Sequence, residues 1–375
     1  MSKYYYYIAL FFIYSCKNEY TVPFKSSDKS LLVVEGALNA NGITNVKLTK
    51  TFKLADTAML VPELNAQLLI EGKNGSIVPM YEVGDGIYKS DAETFTNGVQ
   101  YRLNISTANG KNYVSDYTSV RDNPDIDSVE WEQNSDGLQL SVSTHNSANN
   151  TRFYRWEYEE TWEIHSAYYS FYKLQGGYVV ARDAGDSVFT CWKYNKSSDI
   201  LLGTSAQLAA DIISEKPLLL IGNNTERLGY RYSVLVRQYG LDEKSYKFYE
   251  LIKKNTESIG SIFDAQPTEL IGNIHSLTNP EEIVVGYITA CPIKEKRIFI
   301  SKNEVPGWAF LMQCSQDIVV PNTPDGFATY FSGNKYWPYD WNEKFGITVI
   351  SWKAALPECT DCTLRGGNNQ KPTYW

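Results

Sequence analysis

Apolar and polar side chains alternate with a period of two in many short segments of this chain. The clearest segment is Val99–Ser106, in which Val99, Tyr101, Leu103 and Ile105 share one face. The polar residues between them share the other face. Such alternation is the mark of an antiparallel strand with one buried and one solvated side. The segment therefore predicts a half-buried strand.

Similar segments, separated by turn residues, fill residues 31–121. They include 31–37, 43–50, 65–71, 76–82 and 113–120. About seven short strands in a stretch of this length are typical of an immunoglobulin-like β-sandwich. A polar, proline-containing stretch at 121–125 then marks a boundary. We therefore expect an immunoglobulin-like domain over 31–121.

After the boundary, strand patterns continue and two helical patterns interrupt them. One lies near 205–214, where Leu208, Ala209, Ile212 and Ile213 recur at helical spacing. The other lies near 242–257, where Asp242 is placed to cap the first turn. The stretch 230–239 between them predicts a central strand. Residues 125–375 are therefore predicted to form a second, larger β-sandwich domain with two inserted helices, in a fold that is mainly β.

The first sixteen residues carry one positive charge, a short apolar run and a small residue before a cysteine. This is the pattern of a secretory signal, and the run is shorter than the roughly 18 residues that a bilayer span needs. Ile13-Tyr14-Ser15-Cys16 resembles a bacterial lipobox, in which the cysteine is lipidated and the chain is cut before it. We expect a signal peptide over 1–15, lipid attachment at Cys16 and a lipidated tether over 16–30. The alternative is an ordinary cleaved signal, with Cys16 a chance residue.

The charged stretch Lys17–Glu19 behind this cysteine resembles the surface-export signal of lipoproteins in Bacteroidetes-type bacteria. A solvated tether explains it equally well. The formal net charge of the 375 residues is −8, and no basic cluster stands out. Nucleic acid is therefore not an expected partner.

Strand 153–163 carries Tyr154, Trp156, Tyr158 and Trp162 on one face. It also brings three glutamates together in sequence, namely Glu157, Glu159 and Glu160. Two carboxylates held about 5–10 Å apart can hydrolyse glycosides. The solvated face of an edge strand is the interpretation that we favour for these residues.

Several stretches resemble one protein family. They are Leu32–Gly36, Tyr232–Tyr239, Lys253–Glu257, Gly260–Asp264, Gln266-Pro267, Gly272–Ile274, Arg297–Ile300, and Cys359–Gly367 with Lys371-Pro372 and Trp375. Together they resemble the DUF4249 family of uncharacterised Bacteroidetes lipoproteins over almost the whole mature chain. The resemblance implies an outer-membrane lipoprotein, often associated with TonB-dependent transporters. It implies no catalytic residues.

Cys16 aside, five cysteines are left, namely Cys191, Cys291, Cys314, Cys359 and Cys362. At most two disulfides can form among them, and the sequence does not give their pairing. Cys291 and Cys314 have no counterpart in the family pattern, and we hypothesise that they pair with each other. For Cys359-x-x-Cys362 we favour a structural disulfide, within the pair or to Cys191 or another cysteine, over a redox or metal site.

Other candidate chemistry is sparse, and we expect no cofactor and no metal site. The histidines His145, His165 and His275 are far apart in sequence, and none lies beside a Gly-x-Ser-x-Gly turn. The aromatic set Trp162, Tyr168, Tyr169 and Tyr172 is the best candidate contact surface, because such rings bury much area at low entropy cost. It could also stack on sugar rings, or most of it could fill a core.

The leader predicts a lipid-anchored protein, and the family resemblance implies the outer membrane, with cell-surface exposure as an open alternative. From the resemblance we expect a non-catalytic accessory or ligand-binding subunit beside a TonB-dependent β-barrel transporter, with an unknown small ligand or glycan. The alternatives are a cell-envelope enzyme acting on glycans or peptides, and a purely structural envelope component.

Overall fold

The computed structural model describes residues 30–51, 60–183, 185–257, 272–314, 317–344 and 348–375. The predicted signal peptide, Cys16 and nearly all of the predicted tether lie outside the described residues. So do the family-like stretches 260–264 and 266–267. The described chain is mainly β, as the alternation predicts.

The strands of the first part of the chain are short and follow one another closely. They are β1 (Leu32–Asn39), β2 (Asn41–Lys50), β3 (Val61–Pro62), β4 (Gln67–Gly72), β5 (Ile77–Gly84), β6 (Ile87–Thr94), β7 (Gln100–Ser106), β8 (Asn112–Ser115) and β9 (Thr118–Ser119).

The second part has longer strands and the helices. Its elements are β10 (Ile126–Gln133), β11 (Gly137–Asn146), β12 (Phe153–His165), β13 (Tyr172–Gln175), β14 (Tyr178–Ala181), β15 (Thr190–Lys196), β16 (Leu201–Thr204), β17 (Asp211–Gly222), β18 (Arg231–Leu241), α1 (Glu243–Glu257), β19 (Ile274–Ser276), β20 (Val284–Val285), β21 (Ala290–Cys291), β22 (Lys294–Ser301), β23 (Ile318–Pro321), α2 (Pro324–Tyr330), β24 (Trp337–Lys344), β25 (Thr348–Ala355) and α3 (Pro357–Thr360). Single 3-10 turns lie at 226–228, 302–304, 332–334 and 362–365.

The first sheet has the strand order β19-β8-β7-β4-β5-β6-β2-β1-β20 and wraps around one core. Tyr101, Leu103 and Ile105 of β7 point into this core, as their alternation predicts. Tyr88 is fully buried there and donates its hydroxyl to the Glu63 carbonyl at 2.8 Å. The sheet thus forms a sandwich-like shell around apolar side chains.

Residues from late in the chain complete this first sheet. Strand β19 pairs antiparallel with β8, while β20 and β21 pair parallel with β1. The Asn273 amide exchanges two 2.8 Å hydrogen bonds with the backbone of Ile288, which joins the two ends of the strand order. The predicted 31–121 segment therefore reaches its full sheet only with strands that come after α1.

The second unit is a sandwich of two sheets. The sheet β10-β11-β17 faces the sheet β15-β12-β18-β22, and β16 also pairs with β12. The core between them contains Leu140, Trp156, Tyr232 and Val236, all of which are fully buried or nearly so. Strand β18 lies between β12 and β22, so the predicted central strand is confirmed.

The predicted helix near 205–214 is wrong. Residues 211–222 form strand β17, which pairs with β11, and a turn precedes it. Ile213 is buried and its neighbour Ile212 is half exposed, so these two side chains lie on opposite faces of the strand. Pairing with β11 selects the strand, because a helix of this length is only marginally stable without tertiary packing.

The predicted helix near 242–257 is confirmed as α1. Asp242 caps it, since its carboxylate accepts from the Ser245 amide at 2.8 Å. None of the helices in the described part of the chain combines the length and apolar character that crossing a bilayer requires.

The prediction that Glu157, Glu159 and Glu160 lie on an edge strand is also wrong. Strand β12 is internal, with β18 on one side and β15 and β16 on the other. Glu160 is 1% exposed. It accepts hydrogen bonds from Tyr232 at 2.9 Å and Asn195 at 2.8 Å. Partner side chains, and not water, therefore satisfy this carboxylate.

A third, smaller layer closes the chain. Strands β23-β25-β24 form its sheet, and the hairpin β13–β14 and helix α2 pack on it. Val320, Phe331 and Trp352 are buried at its centre. Helix α3 and the final 3-10 turn then lead the chain back to β15.

Candidate functional site

Two disulfides meet at the short α3 segment. Cys359 is bonded to Cys314 and Cys362 is bonded to Cys191, with Cα atoms 5.9 and 5.8 Å apart. The CxxC pair is therefore structural, and each member reaches a different partner. The hypothesis that Cys291 pairs with Cys314 is wrong, because Cys291 is buried as a free thiol in β21, paired with β1.

These disulfides brace the walls of an open cleft with a volume of about 650 Å³. Lys193 lies two positions beyond Cys191, and Arg365 lies three positions beyond Cys362. Gln313 and Glu358 line the cleft next to Cys314 and Cys359. The volume lies in the range of about 300–1,000 Å³ that is usual for ligand sites.

Glu226 organises the charges of this cleft. It accepts from Lys193 Nζ at 2.7 Å and also from the Arg365 guanidinium. Residues 309–312 add an apolar strip to the lining, in which Leu311 is almost fully exposed and Met312 Sδ lies against the Arg365 guanidinium. The cleft therefore combines paired charges with an apolar strip.

A continuous row of five rings lies on the surface beside this cleft. We call it the aromatic row, and its members in order are Tyr230, His165, Phe189, Tyr169 and Phe171. Successive ring centroids are 3.7, 4.8, 5.3 and 4.7 Å apart. Tyr230 is 40% exposed, Tyr169 is 50% exposed and Phe171 is 55% exposed. His165 and Phe189, in the middle of the row, are half-buried, so the row is exposed to solvent at Tyr230 on one end and at Tyr169 and Phe171 on the other.

Backbone hydrogen bonds hold the segment that carries the row. The Ser166 amide donates to the Phe189 carbonyl at 2.8 Å, and the Tyr168 amide donates to the Cys359 carbonyl at 3.1 Å. The Phe171 amide donates to the Tyr339 carbonyl at 2.8 Å. The loop after β12 is thus tied to both the β15 side and the disulfide-bonded α3 segment.

The row and the cleft meet at Tyr230. Burial raises the pKa of the Tyr230 hydroxyl, and the charges of Arg365 and Glu226 also act on it. At the same point His165 Nε2 lies 2.7 Å from Glu163 Oε1, and the pKa of the Glu163 carboxyl is lowered, chiefly by this hydrogen bond. The His165 ring is therefore oriented within the row by an ionised carboxylate.

The four residues predicted as a contact surface do not form one together. Tyr169 is exposed in the aromatic row. Trp162 packs on the sandwich core beneath the Arg227 guanidinium, which lies 5.5 Å from its ring centroid. Tyr168 stacks on Tyr339 at 4.5 Å, and Tyr172 packs edge-on against Trp352 at 5.1 Å. These three rings therefore serve packing.

Sequence reasoning missed the other four members of the row. Phe171 lies between Tyr169 and Tyr172, two members of the predicted contact surface. His165 ends β12, Phe189 precedes β15 and Tyr230 precedes β18. The available signal was an aromatic residue at the end of each of these strands. It indicates a row of adjacent rings only when the order of the strands in the sheet is known.

The histidines are each paired with one carboxylate. The nearest ring nitrogen to carboxylate oxygen distances are 2.8 Å for His145 to Asp127, 2.7 Å for His165 to Glu163, and 3.0 Å for His275 to Asp116. Over the described residues, no group of three or more His, Cys, Asp and Glu side chains could hold a metal ion.

The chain belongs to the DUF4249 family, a domain of unknown function, whose family model matches residues 17–297. No curated protein matches the chain. The matched range contains β12, β15 and β18, and therefore every member of the aromatic row. The sheet β23-β25-β24, the helix α2 and the stretch Cys359–Gly367, which resembles the family, lie beyond the matched range.

Proposed function

We propose that this protein is an outer-membrane lipoprotein, anchored through Cys16, that acts as a non-catalytic accessory or binding subunit. In this proposal the aromatic row docks on a protein partner, and the partner is a β-barrel transporter of the TonB-dependent class. The aromatic row is the observation that carries the proposal.

Aromatic rings support a protein contact for two physical reasons. Tyrosine and phenylalanine supply a large contact area, and each has only two side-chain torsions to immobilise on binding. Aromatic residues are accordingly enriched at interfaces, and tyrosine is enriched among the residues whose truncation most weakens binding. Exposed apolar patches mark interaction surfaces, and the row exposes three of its five rings, Tyr230, Tyr169 and Phe171.

The bracing of the row supports the same proposal. Tyr169 and Phe171 lie on a segment tied by backbone hydrogen bonds to Cys359 and Tyr339. A surface that is ordered before binding loses less conformational entropy on association than a mobile loop does. The two disulfides then act as the support of a preformed contact surface.

The charged cleft fits a binding function better than acid catalysis. Both carboxylate oxygens of Glu226 accept from cations, Oε2 from Lys193 and Oε1 from Arg365. A general acid or base needs a carboxyl group that can exchange a proton with a substrate. The alternative enzyme hypothesis would require a ligand to displace one of these cations first.

The anchor part of the proposal is tested by membrane fractionation of a Cys16→Ser variant in the native host. We expect the wild-type chain in the outer-membrane fraction and the variant released from it, because several acyl chains give stable anchoring. A variant that stays in the membrane fraction would contradict lipidation at Cys16.

The partner part is tested by isolating the natively acylated chain from outer membranes in mild detergent. We expect a β-barrel protein to co-purify and to be identified by mass spectrometry. Recovery of the chain without any barrel protein would contradict an accessory role.

A further inference from the structure

A second pocket lies away from the aromatic row, in the third layer. It is formed between the hairpin β13–β14 and the helix α2 with the turn that follows, and its volume is about 370 Å³. Its lining includes Leu174, Gly176, Gly177, Phe327, Phe331 and Asn334. We call it the glycine-capped pocket.

The lining of this pocket has no ionisable side chain. Ala328 and Ser332 complete it, and they too are uncharged. Burying an ion against such a lining costs free energy because no opposite charge repays its desolvation. The pocket is therefore suited to a neutral ligand, in contrast to the charged cleft.

Two phenyl rings form the floor. Phe327 and Phe331 are one helical turn apart, and their ring centroids are 5.2 Å apart. Phe331 is buried against Val320 and Trp352, which fixes its position, and the planes of the two rings are tilted by 53°. The floor is therefore apolar, and the half-buried ring of Phe327 is the part of it on which a ligand ring can pack.

The roof is a two-residue hairpin turn with glycine at both central positions. Gly176 has φ 60° and Gly177 has φ 84°, both in the left-handed region that favours glycine. Among the residues that the structure describes, no atom lies within 4 Å of the point where a Cβ atom would stand at either glycine. No side chain of the turn therefore shields its backbone from a ligand.

The rim supplies hydrogen-bonding groups that are not used inside the protein. Ser332 and Asn334 are exposed. Neither their hydroxyl nor their amide has a side-chain hydrogen bond within the ranges that the structure describes. A hydroxyl and an amide can each donate and accept, which suits a ligand that carries several hydroxyl groups.

We propose that the glycine-capped pocket binds a neutral saccharide. A sugar ring has apolar faces that pack on phenyl rings and hydroxyl groups at its edge that bond to amides and hydroxyls. Phe327 provides the apolar contact with Phe331 packed behind it, and Ser332, Asn334 and the turn backbone provide the polar contacts. A few polar groups around an apolar floor is the usual composition of a small-molecule site. This proposal is independent of the docking role of the aromatic row.

The test is isothermal titration of the mature, non-lipidated chain with neutral hexasaccharides of glucose, xylose and mannose. A hexagalacturonate serves as the acidic probe. We expect at least one neutral oligosaccharide to bind and the acidic one to bind more weakly. Absence of binding to every neutral probe at millimolar concentration, or preference for the acidic probe, would overturn the proposal.

Three variants locate the binding site. Ala328→Trp fills the pocket from an exposed helix position, and we expect it to weaken binding at least about tenfold. Thr329→Trp places the same ring at the next exposed residue, which does not line the pocket, and should leave binding unchanged. Asn334→Gly keeps the positive φ of 57° and removes one amide, so we expect affinity to fall about two- to tenfold.

The outcomes separate this proposal from the docking proposal. Binding of a neutral saccharide that is equal in Ala328→Trp and Thr329→Trp would mean that the sugar binds elsewhere, and the pocket assignment would be wrong. Loss of saccharide binding in Ala328→Trp but not in Thr329→Trp supports the pocket assignment, whether or not the aromatic row binds a β-barrel partner.

Discussion

The ring of Tyr169 lies 5.3 Å from the ring of Phe189, centroid to centroid. Tyr169 belongs to the loop after β12, and Phe189 directly precedes β15. The Cys191–Cys362 disulfide links the β15 side to the 3-10 turn after α3, and the Tyr168 amide bonds the loop of Tyr169 to Cys359 of α3, whose disulfide goes to Cys314. This arrangement makes the surface of the row depend on covalent bonds beneath it.

The first prediction concerns those bonds. Replacing both Cys191 and Cys362 by alanine should lower the free energy of unfolding by about 2–5 kcal/mol, because the bond closes a loop across 171 positions. The disulfide between Cys314 and Cys359 closes a shorter loop of 45 positions, so the same exchange there should lower the free energy of unfolding by less. Denaturant unfolding of the non-lipidated chain measures both, and equal stability of all three proteins would contradict the pairing.

The second prediction concerns the free cysteine. Burial raises the pKa of the Cys291 thiol to about 11, and the side chain is inaccessible in the fold. A thiol reagent at neutral pH should therefore leave the folded Cys16→Ser chain unmodified. In denaturant without a reductant it should modify one cysteine per chain, which intact mass spectrometry counts. Two or more modified cysteines would show that a disulfide is missing.

The third prediction concerns the junction before the second unit. Gln238 is fully buried and donates to the Pro124 carbonyl at 2.8 Å, while its oxygen accepts from the Trp156 indole at 2.9 Å. Gln238→Leu should cost about 2–4 kcal/mol, because it leaves a buried indole N–H and a buried carbonyl without partners. Gln139, which is half-buried on β11, provides the control, and Gln139→Leu should cost clearly less. Urea unfolding compares the two.

The fourth prediction concerns acid. The pKa of the Glu163 carboxyl is lowered by His165, and the indole of Trp375 also donates to it, at 3.2 Å. A lowered folded-state pKa stabilises the fold above the ordinary value of 4.5, and this stabilisation is lost as the pH falls through the folded pKa. We therefore expect the contacts of Trp375 with Trp192 and Phe299 to weaken as the pH falls through this lowered pKa, which lies below 4.5.

Tryptophan fluorescence follows this release. The acid change should be absent in Trp375→Phe, and in Glu163→Gln the fluorescence should no longer change with pH over this range. An unchanged acid transition in Glu163→Gln would assign it to another carboxylate.

Periodicity in the sequence predicted much of the secondary structure. Strands β7, β12 and β18 carry strong two-residue or aromatic patterns, and α1 has a capping residue, so each was recognisable locally. The predicted helix over 205–214 is wrong although Leu208, Ala209, Ile212 and Ile213 recur at helical spacing, because 206–210 form a turn and 211–214 belong to strand β17. Pairing with β11, some seventy positions earlier, selects the strand, and this partner is not visible in the local pattern.

Long-range pairing is the part that the sequence alone did not show. The local sequence of β20 and β21 does not indicate that they pair with β1, more than 250 positions earlier, because parallel pairing leaves no turn signal. The internal position of β12 also depends on distant partners, so the role of Glu160 was not predictable from its neighbours. Predicting the aromatic row would have required both the local strand patterns and the order of the strands in the sheet.

The aromatic row is the central element of this account, and a pair of double variants tests it most directly. Tyr169→Ala/Phe171→Ala removes the two most exposed rings of the row. Tyr81→Ala/Val83→Ala removes two side chains of comparable exposure, each 56%, from β5 in the first sheet. Both pairs are exposed, so both chains should fold.

The measurement is the amount of β-barrel protein that co-purifies with each natively acylated chain from outer membranes. The account predicts recovery like wild type for Tyr81→Ala/Val83→Ala. For Tyr169→Ala/Phe171→Ala it predicts binding at least about thirtyfold weaker, as expected when interface hot spots are truncated. Equal recovery of the barrel with both double variants would contradict the assignment of the aromatic row as the docking surface.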